Sequence, residues 1–253
     1  MPWRETRDPY RILVSEIMLQ QTQVDRVRAK YETFLATFPD LAGLAAAPLE
    51  QVLAAWQGLG YNRRAVALHR AARILAAEHR GLLPDDTAAL VALPGIGAAT
   101  AASIRAFAFD APVVFIETNI RRVFIHEFFP GREAVADGEL VPLVAAALDT
   151  RSPREWYYAL MDYGAALARR VPNPNRRSRA YVRQSRFEGS DRQVRGAILR
   201  ALVGGAALTV AGVARAAGSG RERVLRLLGN LEREGFVQRS AGRFGIAGGG
   251  GAP

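Results

Sequence analysis

The sequence predicts a mostly α-helical protein with a small additional domain at its C-terminal end. Over the first 170 residues, apolar side chains recur at spacings of three and four, turns are short, and no alternating strand pattern is evident. Beyond about residue 188 the pattern changes to three helices followed by two short strands. We therefore expect a helical domain over 1–187, a second domain over 188–247 and a disordered glycine-rich tail over 248–253.

The individual helices are expected where prolines, polar caps and glycine turns interrupt the apolar periodicity. These helices cover about 9–20, 24–38, 49–56, 63–78, 87–93, 98–109, 118–128, 137–148 and 153–169. Pro172 and Pro174 predict an irregular stretch after the last of them, because proline blocks regular helix.

The C-terminal segment resembles a winged-helix domain. Its helices are expected at 193–203, 210–217 and 221–234, and its strands at 236–239 and 243–246. Arg221, Arg223 and Arg226 lie on the third helix, which in such domains can enter a DNA major groove. A winged helix can equally contact another protein or brace a neighbouring domain, and the sequence leaves these alternatives open.

The composition excludes several kinds of chemistry. The chain has 34 basic residues against 24 acidic ones, a formal charge of +10 that favours a polyanionic partner, although a GC-biased genome also enriches arginine. Zero cysteine excludes disulfides and cysteine-ligated clusters, and three histidines argue against a histidine metal centre. Lys30 is the only lysine, which argues against Schiff-base chemistry. No apolar run reaches ~18 residues, so we expect no membrane span and a cytoplasmic protein.

A glycine turn separates two expected helices at Leu93-Pro94-Gly95-Ile96-Gly97. Glycine permits positive φ and close approach, and the N-terminus of the next helix offers unpaired backbone N–H groups that suit a phosphate. The pattern is similar to the helix-hairpin-helix motif of DNA-binding proteins, although an ordinary tight turn uses the same residues.

Glu16 is a candidate general acid. It lies in an apolar helix with Leu13 and Leu19 as neighbours, and burial against them would raise the pKa of its carboxyl. The alternative is a solvated edge of an amphipathic helix. Gln20 and Gln21 follow directly and could hydrogen-bond base edges, or simply form a polar helix end.

Glu117 is a second candidate carboxylate. It ends the apolar stretch 113–116 at the start of the helix expected at 118–128. It could be a helix N-terminal acid favoured by the helix dipole, or a catalytic carboxylate beside a phosphate-binding helix. The pattern alone does not decide between these interpretations.

Together these segments resemble the helix-hairpin-helix (HhH-GPD) DNA glycosylase superfamily, and in particular its MutY-type adenine glycosylases. The matching stretches are Pro2–Arg4, Arg7–Tyr10, Val14–Val24, Trp56 with Gly58–Tyr61, Leu93–Gly97, Asn119–Val123 and Ala159–Ala165. The resemblance covers about residues 1–185, and VSEIMLQQTQV is its most specific part. The family usually has a helix before this motif, which predicts a truncated chain or a misassigned start.

The resemblance implies an enzyme that flips a base out of the duplex and cleaves its N-glycosidic bond. By position, Glu16 would protonate the departing adenine, Gln21 would fill the flipped site, Tyr61 would wedge beside the opposing base, and Asn119 would place the sugar or water. The other residues expected to bind DNA are Gln20, Pro94, Gly95, Gly97, Thr100, Arg121, Arg221 and Arg223. No side-chain metal site is expected, although the family's hairpin carbonyls, here those of Val91, Leu93 and Ile96, could bind a monovalent cation.

The chain departs from the family at two catalytic positions. Glu117 stands in place of the family's aspartate, twenty residues beyond Gly97. Glutamate keeps the charge but adds a methylene, so activity could persist in a reshaped pocket, change substrate or be lost. Ala99 stands where bifunctional relatives carry a lysine, which predicts base removal without AP-lyase activity.

The family's iron–sulfur cluster is also expected to be absent, and we expect no other cofactor. The four cluster-cysteine positions fall on Ala168, Asn175, Ser178 and Gln184. We expect packing and nearby arginines (Arg176, Arg177 and Arg179) to hold the loop instead.

Two further departures from the family concern base recognition. Asn62 stands where the family often has a tyrosine, and the winged helix stands where MutY-type proteins usually have the domain that helps read 8-oxoguanine.

Three functions remain open on the sequence. The first is a monofunctional glycosylase that excises adenine opposite 8-oxoguanine or guanine. The second is a glycosylase for another base, such as thymine or uracil opposite guanine, or hypoxanthine. The third is a non-catalytic, damage-sensing DNA-binding protein. In each case we expect a monomer that binds double-stranded DNA at the nucleoid and no membrane association.

Overall fold

A computed structural model describes residues 1–183 and 186–248. Its α-helices are α1 (Pro9–Leu19), α2 (Val24–Thr37), α3 (Leu41–Ala46), α4 (Leu49–Trp56), α5 (Arg63–Glu78), α6 (Thr87–Ala92), α7 (Ala98–Phe109), α8 (Thr118–Phe128), α9 (Asp137–Ala147), α10 (Pro153–Arg170), α11 (Asp191–Leu202), α12 (Val210–Ala217) and α13 (Arg221–Arg233). Its strands are β1 (Leu208–Thr209), β2 (Val237–Ser240) and β3 (Arg243–Ile246). The mostly helical fold class is confirmed, while Gln184 and residues 249–253 of the expected tail lie outside the described residues.

The chain forms two compact units, each made of separate stretches of sequence. The first contains Met1–Pro2, Ile17–Leu83 and the described part of Ser185–Pro253. The second contains Trp3–Glu16 and the described part of Pro84–Gln184. The domain boundary that composition suggests at residue 187 stays a prediction.

The first unit joins helices α2 to α5 with the C-terminal helices and sheet. Strands β1 and β2 both pair antiparallel with β3, in the order β1-β3-β2. Helix α3 and strand β1 are absent from the sequence prediction. Helix α3 has only six residues, and it begins because the Asp40 side chain accepts a hydrogen bond from Gly43 N at 2.7 Å.

Arginines on two helices of the first unit converge on one carboxylate. Arg63 of α5 and Arg195 of α11 each donate two hydrogen bonds to Glu234, at 2.6–3.1 Å. These donors hold the pKa of Glu234 down at about 2. The C-terminal segment therefore contacts helix α5 within the same unit, whereas its role in binding DNA, binding protein or bracing a neighbouring domain stays a prediction.

The second unit is built from most of α1 and helices α6 to α10 around an aromatic core. Phe107 stacks on Tyr158 with ring centroids 4.7 Å apart, and Phe115 lies 4.2 Å from Tyr157. Burying such rings stabilises the core through apolar area and ring geometry. The core fixes helices α7, α8 and α10 against one another.

Within the described part of the chain, no helix is both long and apolar enough to span a bilayer.

Candidate active site

The hairpin between α6 and α7 has the expected geometry. Asp86 caps α6 by accepting a hydrogen bond from Ala89 N at 2.7 Å, and Gly95 turns the chain at φ +80°. Leu93 and Ile96 are buried and anchor the loop, whereas Gly95 and Gly97 are exposed. Exposed backbone at the start of α7 can accept an anion such as a phosphate.

The remaining hairpin residues that the sequence singled out lie around this loop. Pro94 and Thr100 are partly buried, and Val91 is exposed. The Leu93 carbonyl accepts a hydrogen bond from Ile96 N at 3.2 Å, which closes the turn.

Glu16 lies on α1 and belongs, like Ser103, to the second unit. Ser103 of α7 donates a hydrogen bond to Glu16 Oε2 at 2.5 Å. Burial raises the pKa of Glu16 to about 7, the Ser103 hydrogen bond opposes that rise, and the charge of Glu117 adds to it. A carboxyl with a pKa near neutrality can hold a proton and still give it up, as a general acid must.

Glu117 caps the N-terminus of α8. Its Oε1 accepts hydrogen bonds from Asn119 N at 2.6 Å and Ile120 N at 2.8 Å. Burial raises the pKa of Glu117, whereas these two N–H groups and the charges of Arg121 and Arg122 lower it. Both interpretations of Glu117 are therefore compatible, because Oε1 caps the helix while Oε2 accepts a long hydrogen bond from Asn119 Nδ2 at 3.5 Å.

Asn119 is fixed on the first turn of α8 by Arg122 and Gly164. Arg122 Nη1 donates to Asn119 Oδ1 at 2.6 Å and to the Gly164 carbonyl of α10 at 2.8 Å. Gly164 has no side chain, and a Cβ placed there would lie 2.6 Å from the Asn119 carbonyl oxygen. Helix α10 therefore approaches α8 closely only because residue 164 is glycine.

We expect Gly164→Ala to destabilise the protein by about 1–3 kcal/mol and to slow turnover, because the added methyl would push Asn119 and the start of α8 away. Urea denaturation and single-turnover kinetics would measure the two effects. Gly138→Ala is the matched control, since a Cβ at that helical glycine meets nothing within 4 Å. Equal effects of the two substitutions would contradict the close approach at Asn119.

The loop at the family's cluster-cysteine positions is held by polar contacts. Asn175 is buried, and its Nδ2 donates to the Thr118 carbonyl at 3.0 Å, beside Glu117. Ser178 is also buried and forms a parallel bridge with Val135. Arg177 donates to the Phe129 and Ile125 carbonyls at the other end of α8. The loop thus supports both ends of α8 with side chains that are not cysteine.

The glutamine segment expected to contact DNA lies in the first unit, just after α1. Gln21 adopts a left-handed conformation at φ +53°, and it is exposed. The buried Arg64 donates to the carbonyls of Met18 at 2.8 Å and Gly60 at 3.1 Å and to Thr22 Oγ1 at 2.8 Å. One guanidinium thereby ties the glutamine segment to the turn that carries Tyr61.

Tyr61 has a constrained backbone and two cationic neighbours. Its φ is +47°, which costs free energy in a residue other than glycine. The Arg64 guanidinium lies 5.5 Å from its ring centroid, and Arg192 of α11 donates to its hydroxyl at 3.1 Å. The C-terminal segment therefore also contacts the residue that the resemblance assigns to the opposing base.

The arginines predicted to bind DNA differ in their surroundings. Arg121 donates two hydrogen bonds to Asp137, both at 2.7 Å, and Arg223 donates to Asp191 at 2.8 Å. Each would have to exchange a carboxylate for a phosphate on binding DNA. Arg221 is exposed at the start of α13.

Five residues make contacts at the candidate site that the sequence did not reveal. They are Ser103, Arg122, Gly164, Asn175 and Arg64. Their partners lie between 3 and 87 positions away along the chain, and most lie on another helix. For Ser103 one signal was present, a single serine on an alanine-rich helix. A polar residue on a buried helical face needs a hydrogen-bond partner.

Comparison with known proteins gives consistent matches. The family model described as HhH-GPD superfamily base excision DNA repair protein matches residues 14–136. The adenine DNA glycosylase of Mycolicibacterium smegmatis is 37% identical over 273 aligned positions, covering 98% of this chain and 91% of that protein. The alignment therefore extends through the C-terminal helices as well.

Solved structures show the same fold. A thermostable thymine-DNA glycosylase aligns with a TM-score of 0.58 and 26% identity, over 65% of this chain and 77% of that one. A trapped endonuclease III–DNA covalent intermediate aligns with a TM-score of 0.55 and 19% identity, over 64% and 76%. The chain therefore belongs to the HhH-GPD superfamily of base excision DNA repair proteins, and it is a DNA glycosylase.

Proposed function

We propose that this chain is a monofunctional glycosylase that removes adenine from opposite 8-oxoguanine or guanine in double-stranded DNA. The choice of adenine follows the adenine DNA glycosylase of M. smegmatis, which aligns with nearly the whole chain. The observation that carries the chemistry is the pairing of Glu16, whose pKa is about 7, with Glu117, held at a helix N-terminus in the same unit. We expect the enzyme to act as a monomer at the nucleoid.

In the proposed reaction the two carboxyl groups have opposite protonation states. Protonated Glu16 gives its proton to the departing base as the N-glycosidic electron pair moves onto that base. Ionised Glu117 stabilises the positive charge that develops on the sugar. Asn119, held by Arg122, places the water that then attacks the sugar carbon. That water gives its proton to the Glu16 carboxylate, which is thereby reprotonated, and an abasic site remains.

The absence of lyase activity is proposed from the lysine inventory. Strand cleavage by an amine requires a nucleophile that attacks the sugar carbon. Ala99 occupies the position at which bifunctional relatives carry lysine, and the only lysine, Lys30, lies on α2. The chain also contains no cysteine to ligate an iron–sulfur cluster, and among the described residues no acidic or histidine cluster could hold a metal.

One observation favours a second substrate. The structure of a thymine-DNA glycosylase is similar to this chain at 26% identity, and Glu117 carries its carboxylate one methylene further than the family's aspartate. A different carboxylate position suits a differently placed sugar. Thymine or uracil opposite guanine, and hypoxanthine opposite thymine, are therefore the competing substrates.

The deciding experiment incubates the purified protein with five duplexes: A:8-oxoG, A:G, T:G, U:G and hypoxanthine:T. Each reaction is analysed with and without hot alkali. We expect strand breaks for A:8-oxoG and A:G, and only after alkali, because base removal alone leaves the strand intact.

Each of the other outcomes would contradict a separate part of the proposal. Breaks without alkali would exclude monofunctional action, and Lys30→Ala would then test the remaining lysine. Breaks only in T:G or U:G would show that the enzyme excises thymine or uracil instead of adenine. Tight binding with no break in any duplex would support a non-catalytic, damage-sensing DNA-binding protein and contradict the enzyme.

A further inference from the structure

We propose that Ser103 is a positioning residue for Glu16: its hydroxyl binds Oε2, leaves Oε1 to carry the reacting proton, and stabilises the carboxylate that remains after proton transfer. This inference rests on the proposed role of Glu16 as the general acid. It assigns part of the catalytic efficiency to a residue that would not touch DNA.

The two carboxyl oxygens of Glu16 differ in their contacts. Ser103 Oγ lies 2.5 Å from Oε2, and within the described residues the Glu16 carboxyl has no second hydrogen bond. Glu16 as a whole is only partly buried, whereas Ser103 is 5% exposed. The oxygen bound by Ser103 therefore faces protein, and the open oxygen is the one able to meet a base.

Ser103 has one hydroxyl proton and two acceptors within reach. Besides Oε2, the Thr100 carbonyl lies 3.0 Å away on the same helix. Because a donor bonds more strongly to a charged acceptor, the hydroxyl favours Oε2 increasingly as Glu16 loses its proton. The hydrogen bond is thus stronger after proton transfer than before it, which is the condition for lowering a barrier.

The other charged groups around Glu16 do not supply this interaction. From the N-terminus of α8, Glu117 opposes ionisation of Glu16, and Arg121 and Arg122 act on Glu117. From α10, Tyr158 has a pKa raised to about 12, mainly by burial, and so stays neutral at the pH of the reaction. Among the described residues, the interaction found to lower the pKa of Glu16, and so to favour its ionised form, is the Ser103 hydrogen bond.

The test measures single-turnover base release by Ser103→Ala from pH 5 to 9, on whichever duplex the wild-type protein cleaves. General-acid catalysis requires protonated Glu16, so the rate falls as pH rises through its pKa. Loss of the hydrogen bond raises that pKa. We therefore expect the basic limb of the pH–rate profile, where the rate falls with rising pH, to move up by about one pH unit. The maximal rate should fall about tenfold, because the carboxylate formed is less stable.

Three further variants control the experiment. Ser103→Thr keeps the hydroxyl and should keep the wild-type limb, whereas Ser103→Cys, a weaker donor, should move it part of the way up. Ser15→Ala removes another buried serine, whose hydroxyl donates to the Ile12 carbonyl at 2.8 Å, and should leave the limb in place. Thermal denaturation confirms folding, and the alanine and cysteine variants must shift the limb in the same direction.

The outcomes separate this inference from the proposed function. If Glu16→Gln is as active as wild type, Glu16 is not the acid, and the proposed roles of Glu16 and Ser103 both fail while the glycosylase activity itself stands. If Glu16→Gln is slow but Ser103→Ala keeps the wild-type limb, only the role of Ser103 is overturned. A lower rate with an unmoved limb would mean that Ser103 merely supports the packing of α7.

Discussion

Glu117→Gln is expected to slow base release about a thousandfold while DNA affinity stays unchanged. The amide oxygen can still accept from Asn119 N and Ile120 N, so the cap of α8 survives. What the substitution removes is the negative charge that would face the developing sugar cation. Single-turnover kinetics measures the rate, and fluorescence anisotropy with labelled duplex measures the affinity.

Glu139→Gln is the matched control for this substitution. Glu139 is also a carboxylate in the first turn of a helix, where its Oε2 accepts from Ala136 N at 3.0 Å. Its loss should leave the rate unchanged. If Glu117→Gln retained the wild-type rate, or if the two variants slowed equally, Glu117 would be only a helix cap.

Glu16→Gln is expected to reduce the rate about a hundredfold or more, since it removes the proton donor. It should also remove the basic limb of the pH profile. In the wild-type protein we expect the rate to fall as pH rises through about 7, where Glu16 ionises, and to fall at low pH as Glu117 becomes protonated. Because the two carboxyls interact, the two limbs report apparent pKa values of the pair.

The pH profile also provides the check on this second expectation. Glutamine at position 16 does not titrate, so the variant's rate should be constant above neutral pH and should still fall at low pH. A basic limb that persists in Glu16→Gln would show that another group supplies the proton. Thermal denaturation should show a folded variant, because glutamine can still accept the Ser103 hydrogen bond.

Much of the fold and both candidate carboxylates could be predicted from the sequence. Periodic apolar residues and local caps place the long helices within a few residues, and the C-terminal strands were placed equally well. Helix α3 and strand β1 escaped because they are short, with too few residues to show a period. Helix α3 depends on one N-terminal cap, and strand β1 depends on pairing with β3, which lies more than thirty residues further along the chain.

Most of the supporting contacts could not be predicted, since they join residues far apart in sequence. Ser103 meets Glu16 across 87 positions, and Asn175 meets Thr118 across 57. Sequence separation carries no information on which buried polar groups will pair. The requirement that such groups be paired is general, but the partner becomes known only when the helices are placed together.

The most direct test of the account is release of free adenine, measured chromatographically from an A:8-oxoG duplex with enzyme in excess. The wild-type protein and the Glu16→Gln/Glu117→Gln double variant are compared at equal saturation of the DNA. We predict stoichiometric adenine from the wild-type protein and none above the enzyme-free control from the double variant. No adenine from the wild-type protein, or equal release by both proteins, would contradict the assignment of adenine excision to this pair of carboxyl groups.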